Sequence, residues 1–291
     1  MGGMETIRIS GRGGLALEAD IAGPEAGAAV VLLHGGGQTR HAWSRAFHAL
    51  TQAGYRVLSY DARGHGGSAW DPEGDYSTDA LVADLCAIQA HLAAPVALVG
   101  ASMGGITSLT AIGEGALPDA AALVLVDVAP HIRREGVSRI RAFMTARPEG
   151  FANLDEVADA VAAYNPERPR PRDPSGLMKN LRTGDDGRLY WHWDPRIISD
   201  RFDEHAAYLD TFETRMTAAA RAVGVPTMLV RGTQSDVVSA EGAERLQALI
   251  PDARIEDVGG AGHMVAGDRN DAFNAVVMDF LAAVYAESGS A

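Results

Sequence analysis

Five short stretches of the chain are apolar throughout or at all but one position: 29–33, 57–60, 96–99, 123–126 and 227–230. A strand with one wet face alternates apolar and polar residues, whereas a strand covered on both faces does not, so these runs predict buried strands of a parallel sheet. Longer stretches with helical spacing lie between them. In 79–92, Leu81, Leu85, Ile88 and Leu92 recur every three or four positions and form one apolar stripe to lay on a sheet. Strand and helix in alternation imply right-handed crossovers and a mostly parallel central sheet with helices on both faces. Two earlier extended pieces, 5–9 and 15–21, are too close in sequence to enclose a helix and are expected to pair as an antiparallel edge hairpin. Residues 254–258 read as the last strand. The predicted fold class is α/β.

The pattern breaks between 131 and 222. The run Arg168-Pro169-Arg170-Pro171-Arg172-Asp173-Pro174 fits neither a helix nor a central strand, because alternating prolines remove donors and push their neighbours to extended backbone. The segment holds as many acidic as basic residues, so the whole excess of negative charge lies outside it. Both features predict an insert: a core domain made of 1–130 and 223–291, with 131–222 as a largely helical lid. The formal net charge of −13 repels nucleic acid and anionic lipid, so neither is expected as a partner. One cysteine, Cys86, excludes an internal disulfide and a cysteine zinc cluster. With no leader-like run in 1–12 and no stretch near the ~18 apolar residues of a membrane span, the expectation is a soluble, cytoplasmic protein.

In a parallel sheet the loops leaving the strand ends collect on one edge, where a site is to be sought. The stretch Gly100-Ala101-Ser102-Met103-Gly104-Gly105 follows one predicted strand directly and opens a helical stretch. Gly-x-Ser-x-Gly in that context is a nucleophile elbow, whose sharp turn projects the serine hydroxyl from the sheet edge. The simpler alternative is a glycine-rich turn whose serine caps the helix. A serine nucleophile needs a near-neutral base held by an acid. His263, on the glycine-rich loop after 254–258, has the required place and order. For the acid, Asp236 follows the strand 227–230 and is preferred because its loop leads to the strand beside that of His263. Asp127, at the end of 123–126, is the rival. The two oxyanion donors are expected to be the backbone N–H of Met103 and one from His34-Gly35-Gly36-Gly37, with Gly36 first and Gly37 next. Arg40, where a third glycine would stand, argues against a dinucleotide loop.

Together with Asp61-Ala62-Arg63-Gly64-His65-Gly66-Gly67-Ser68, these motifs resemble the α/β-hydrolase fold superfamily, in the branch of small esterases, lactonases, carbon–carbon bond hydrolases and cofactor-free perhydrolases. The resemblance spans residues 32–263. It implies Ser102 as nucleophile, His263 as base, Asp236 as acid, and the amides of Gly36 and Met103 as oxyanion hole. It also implies that 61–68 is a structural turn and that His34 orders the oxyanion loop. Serine at the nucleophile position disfavours the alkyl-transfer chemistry of relatives that use aspartate there.

The expected activity is hydrolysis of a carboxylic ester or lactone of a small, fairly apolar acid, with no cofactor and no metal. Hydrolysis of a carbon–carbon bond in a diketone, or ligand binding without turnover, are the alternatives. Phe143, Trp191 and Trp193 in the insert either line the substrate pocket or anchor the insert to the core. Arg168, Arg170 and Arg172 read as a solvated charged loop.

Overall fold

The computed structural model describes residues 3–166, 169–199, 205–268 and 270–288. The chain opens with β1 (Glu5–Ser10), β2 (Ala16–Ala22) and β3 (Ala29–Leu33), then α1 (Ser44–Gln52) and β4 (Arg56–Tyr60). It continues with α2 (Thr78–Leu92), β5 (Val96–Ala101), α3 (Met103–Gly113) and β6 (Ala122–Val126). After β6 come α4 (Arg134–Thr145), α5 (Leu154–Tyr164), a small hairpin of β7 (Leu181–Thr183) and β8 (Leu189–Trp191), α6 (Arg196–Ser199) and α7 (His205–Ala222). The chain closes with β9 (Thr227–Gly232), α8 (Ala240–Leu249), β10 (Arg254–Val258), α9 (Val265–Asp268) and α10 (Asn270–Ser288).

Eight strands form one sheet in the order β1-β2-β4-β3-β5-β6-β9-β10. Only β1 with β2 and β2 with β4 pair antiparallel; every other neighbour pair is parallel. The apolar runs have the predicted cause. Val31 and Leu33 of β3 enter a core shared with α2, α3, α7 and α8, while Val30 and Leu32 enter a second core shared with α1 and α10. Both faces are covered, so each alternate residue is buried, and each such Val, Leu or Ile contributes roughly 1.5–3 kcal/mol. Helix α2 carries its own start and stop signals: the Ser77 hydroxyl accepts the Ala80 N–H, and Ala93 closes the helix in a left-handed conformation.

The segment 131–222 contains α4, α5, α6 and α7, and also β7 and β8, a strand pair the sequence reading did not anticipate. Its two ends behave differently. Met216, Ala219 and Ala220 of α7 join the core beneath the sheet, beside α3. Trp193, Ile197, Ile198 and Met144 instead gather with Tyr76 in a separate small cluster over the strand ends. By its contacts, the C-terminal helix of the expected insert is part of the sheet's helical layer. Among the described residues no helix is long and apolar enough to cross a membrane.

The turn after β4 is held by charge. Arg63, 1% exposed, donates from Nε and Nη2 to both oxygens of the equally buried Asp84 on α2, at 2.6 and 2.8 Å. It donates also to Asp71 and to the Asp75 carbonyl. A buried pair of this kind is costly to break, because removing one partner strands the other charge. Arg63→Met is therefore expected to lower unfolding stability by about 3–5 kcal/mol in a urea titration; a loss below about 1 kcal/mol would show that Asp84 does not depend on it.

Candidate active site

The Gly-x-Ser-x-Gly stretch forms the predicted sharp turn. Ser102 follows β5, opens α3, and takes φ 46° and ψ −112°, a conformation that strains any residue with a side chain. The turn is possible because β5 and α3 touch. A Cβ at Gly100 would stand 2.5 Å from the backbone of Gly104, and one at Gly104 would stand 2.4 Å from the Leu33 carbonyl oxygen. The Ser102 hydroxyl makes no capping bond to the helix it starts, so it is not spent on local structure. That observation removes the helix-capping alternative.

His263 lies on the loop after β10, with its side chain 12% exposed, and its Nδ1 lies 2.7 Å from Oδ2 of Asp127. The expected partnership of His263 with Asp236 is thus corrected. Asp236 lies four residues past the end of β9, and its carboxylate pairs instead with Arg139 of α4 at 2.9 Å. Strand order gives the reason. β6 runs directly between β5 and β9, so the residue that ends it lies one strand from the serine and one strand from the loop bordering His263.

Asp127 is completely buried and, like Ser102, has a positive φ, of 49°. Its oxygens accept the Gly232 N–H at 3.2 Å and the Ser235 hydroxyl at 2.5 Å. Ser235 in turn accepts the N–H groups of Val237 and Val238. Sequence reasoning missed Ser235; its signal is a serine just after a strand whose neighbour ends in aspartate.

The loop after β3 is ordered by two neutral histidines. His34 Nε2 accepts the Ala62 N–H at 2.9 Å, so Nδ1 carries the proton and donates to the Gly35 carbonyl at 2.8 Å. Burial lowers the pKa of His34 and keeps it uncharged. His65 Nε2 accepts the Gly37 N–H at 3.2 Å, which commits that amide. Gly36 borders a cavity together with Ser102 and Met103, and a Cβ on its neighbour Gly35 would stand 3.4 Å from Cβ of Ser102.

Two cavities meet at Ser102. One, of about 460 Å³, has Ser102 and His263 in its wall together with Phe143, Trp191 and Trp193. The other, of about 140 Å³, is bordered by Ser102, Gly36 and Met103 and closed by apolar side chains such as Ile106, Val128 and Ile140. The aromatic residues of 131–222 therefore line the larger cavity, and they also anchor the segment. Trp191 stacks on Trp193 with rings 5.0 Å apart, and Trp193 Nε1 donates to the Met144 carbonyl at 3.3 Å. Next to them, His192 Nδ1 accepts the Gly66 N–H at 2.7 Å, and Asp194 accepts the Tyr76 hydroxyl at 2.5 Å. Arg170 is tied up by Asp155 and Asp159 at the surface, and Arg168 lies outside the described residues.

A model of the alpha/beta hydrolase family matches residues 30–276, which includes every element of the site just described. The chain belongs to the alpha/beta hydrolase family. It is 29% identical to Esterase Rv0045c of Mycobacterium tuberculosis over 260 residues, covering 87% of this chain and 82% of that one. To the mouse sn-1-specific diacylglycerol lipase ABHD11 it is 29% identical over 268 residues, covering 87% and 81%. Among solved structures, E-2-(acetamidomethylene)succinate hydrolase superposes with a TM-score of 0.82 at 23% identity, covering 96% of this chain and 99% of that chain. With relatives named as esterase, lipase and hydrolase, the chain is a hydrolase of this fold.

The buried histidines make the family scaffold sensitive to acid. Burial pushes His192 down to about 4 from its usual 6.5. Above pH 6.5 its stabilising contacts are intact; as pH falls towards about 4 the unfolded chain takes up a proton that the folded chain refuses, and stability is lost. His34 acts in the same sense. In His192→Asn the amide oxygen can still accept the Gly66 N–H, and the urea midpoint is expected to fall less steeply between pH 6.5 and about 4 than in the parent. An unchanged slope would mean that His192 already carries a proton in the folded chain.

Proposed function

We propose that the chain hydrolyses carboxylic esters or lactones through an acyl-enzyme, with Ser102 as nucleophile, His263 as base and Asp127 as the acid that holds the base. The observation that carries the reading is the His263–Asp127 pair, held at 2.7 Å on the cavity wall that also contains the strained Ser102. In the first step Nε2 of His263 takes the proton of the Ser102 hydroxyl while its oxygen forms a bond to the carbonyl carbon. Asp127 stabilises the imidazolium and fixes the tautomer with the proton on Nδ1. The carbonyl oxygen gains the charge and rests on the N–H groups of Met103 and Gly36, the first at the start of α3 where the helix dipole adds to the attraction. Collapse expels the alkoxide, which takes the proton from His263. A water molecule, deprotonated by the same imidazole, then cleaves the acyl-enzyme to acid and free serine.

The amide of Gly37 is a weaker candidate for the oxyanion hole because His65 already accepts it. Residues of 131–222 act as a lid in this reading: Phe143, Trp191 and Trp193 wall the larger cavity and give it an apolar, aromatic lining. The names of the esterase and lipase relatives support ester chemistry over the carbon–carbon and non-catalytic alternatives.

Ser102→Ala is expected to lower kcat on a short aryl ester by about 10⁵–10⁶-fold and to abolish labelling by a fluorophosphonate. Full activity, or a serine that the probe leaves unlabelled in the parent chain, would overturn the proposal. Asp127→Asn is expected to cost about 10⁴-fold in kcat, because it presents the wrong hydrogen-bonding partner to Nδ1. Asp236→Asn is expected to change kcat by less than about fivefold, as befits a half-exposed surface pair. Equal losses in the two variants would return Asp236 to the triad.

A further inference from the structure

The two cavities at Ser102 differ in chemistry as well as size. In any ester the alkoxide oxygen must leave on the side of the imidazole that protonates it, while the carbonyl oxygen points to the amides of the oxyanion hole. On the hydrolase reading above, on which this inference rests, the larger cavity containing His263 receives the alcohol portion. The smaller one, bordered by Gly36 and Met103, receives the acyl chain. Its volume of about 140 Å³ and its walls, apolar apart from Arg141, suit a short unbranched acyl group.

The charge lining the larger cavity is opposite in sign to that of the chain as a whole. The protein carries 38 acidic against 25 basic residues, yet no Asp or Glu among the described residues lines this cavity. Two cations do: Arg45, from α1, and Lys179, the chain's single lysine, which precedes β7. One is supplied by the core and one by 131–222. Both are exposed, and among the described residues neither has a carboxylate partner.

Glu18, Asp20 and Asp61 are all engaged by Arg40, at 3.0, 3.0 and 2.5 Å. Half-buried His41 also lines the cavity. Its pKa is lowered chiefly by burial, with the positive charge of Arg40 acting in the same sense. His41 is accordingly a neutral hydrogen-bonding group at neutral pH. Tyr164, Asn165 and Asn180 add uncharged polar groups to the same wall.

We propose that the alcohol portion of the substrate carries a carboxylate, which the guanidinium of Arg45 and the ammonium of Lys179 hold at the mouth of the larger cavity while a short apolar acyl group fills the smaller one. Two unpaired cations and an absence of competing anions favour this in a molecule whose overall field repels negative solutes. Water-exposed pairs of this kind act modestly, each within about fivefold, and are screened by salt.

The test uses the butanoate esters of 3-hydroxybenzoic acid and of its methyl ester, which share an acyl group and differ by one negative charge. Each kcat/KM is divided by that ester's own rate of alkaline hydrolysis. The carboxylate ester is expected to be preferred by about five- to tenfold at low salt. The preference should shrink as ionic strength rises and approach unity in the Arg45→Gln, Lys179→Gln double variant. A preference for the neutral ester, or a ratio that neither salt nor the double variant alters, would overturn the proposal. So would stronger preference for a matched ester bearing a phosphate monoester in place of the carboxylate. Failure of the hydrolase reading is seen separately, as no turnover of either ester by the parent chain. Calorimetric titration of Ser102→Ala with the two esters then reads the charge preference from binding alone: tighter binding of the carboxylate ester supports the proposal, and equal binding contradicts it.

Discussion

A carboxylate with no exposure to solvent cannot sit uncompensated in a protein interior, and Asp127 is such a group. Its compensation is the site. One oxygen receives the Gly232 amide, and the other receives the Ser235 hydroxyl and the His263 imidazole. The loops after β6, β9 and β10 are thereby drawn to one point at the sheet edge. There the imidazole shares a cavity with a serine whose backbone is already strained.

Around that point the remaining interactions fix geometry. His34 and His65 hold the loop after β3 by accepting backbone N–H groups, and His192 repeats the device between the 61–68 turn and the residues after β8. Three imidazoles, with neighbouring rings 5.0 and 5.8 Å apart, thus link the loop after β3 to the segment that walls the cavity. Burial keeps His34 and His192 uncharged, so the arrangement adds no positive charge beside that loop. Arg40 and Arg63 gather the acidic groups of the same region and leave the cavity wall free of carboxylates.

Much of this was legible in the sequence, for physical reasons. β3 spans the predicted residues because a strand buried on both faces has no polar position to blur its limits. The elbow could be recognised because few residues other than glycine fit at 100 and 104 when strand and helix touch. The carboxylate partner of His263 could not be chosen in the same way. Asp127 and Asp236 both follow apolar runs, and the choice depends on which strand lies between which, a property of sheet order rather than of local pattern. The β7 and β8 hairpin was missed because three-residue strands carry too little alternation to stand out. Ser235 and the Arg63–Asp84 pair are long-range contacts, invisible until the chain is folded.

The pairing of Asp127 with His263 can be read most directly from the low-field proton resonance of an imidazole Nδ1–H donated to a carboxylate. Such a resonance is expected in the parent chain, persisting in Asp236→Ala and disappearing in both Asp127→Ala and His263→Ala. A resonance that survives in Asp127→Ala and vanishes in Asp236→Ala would contradict that pairing.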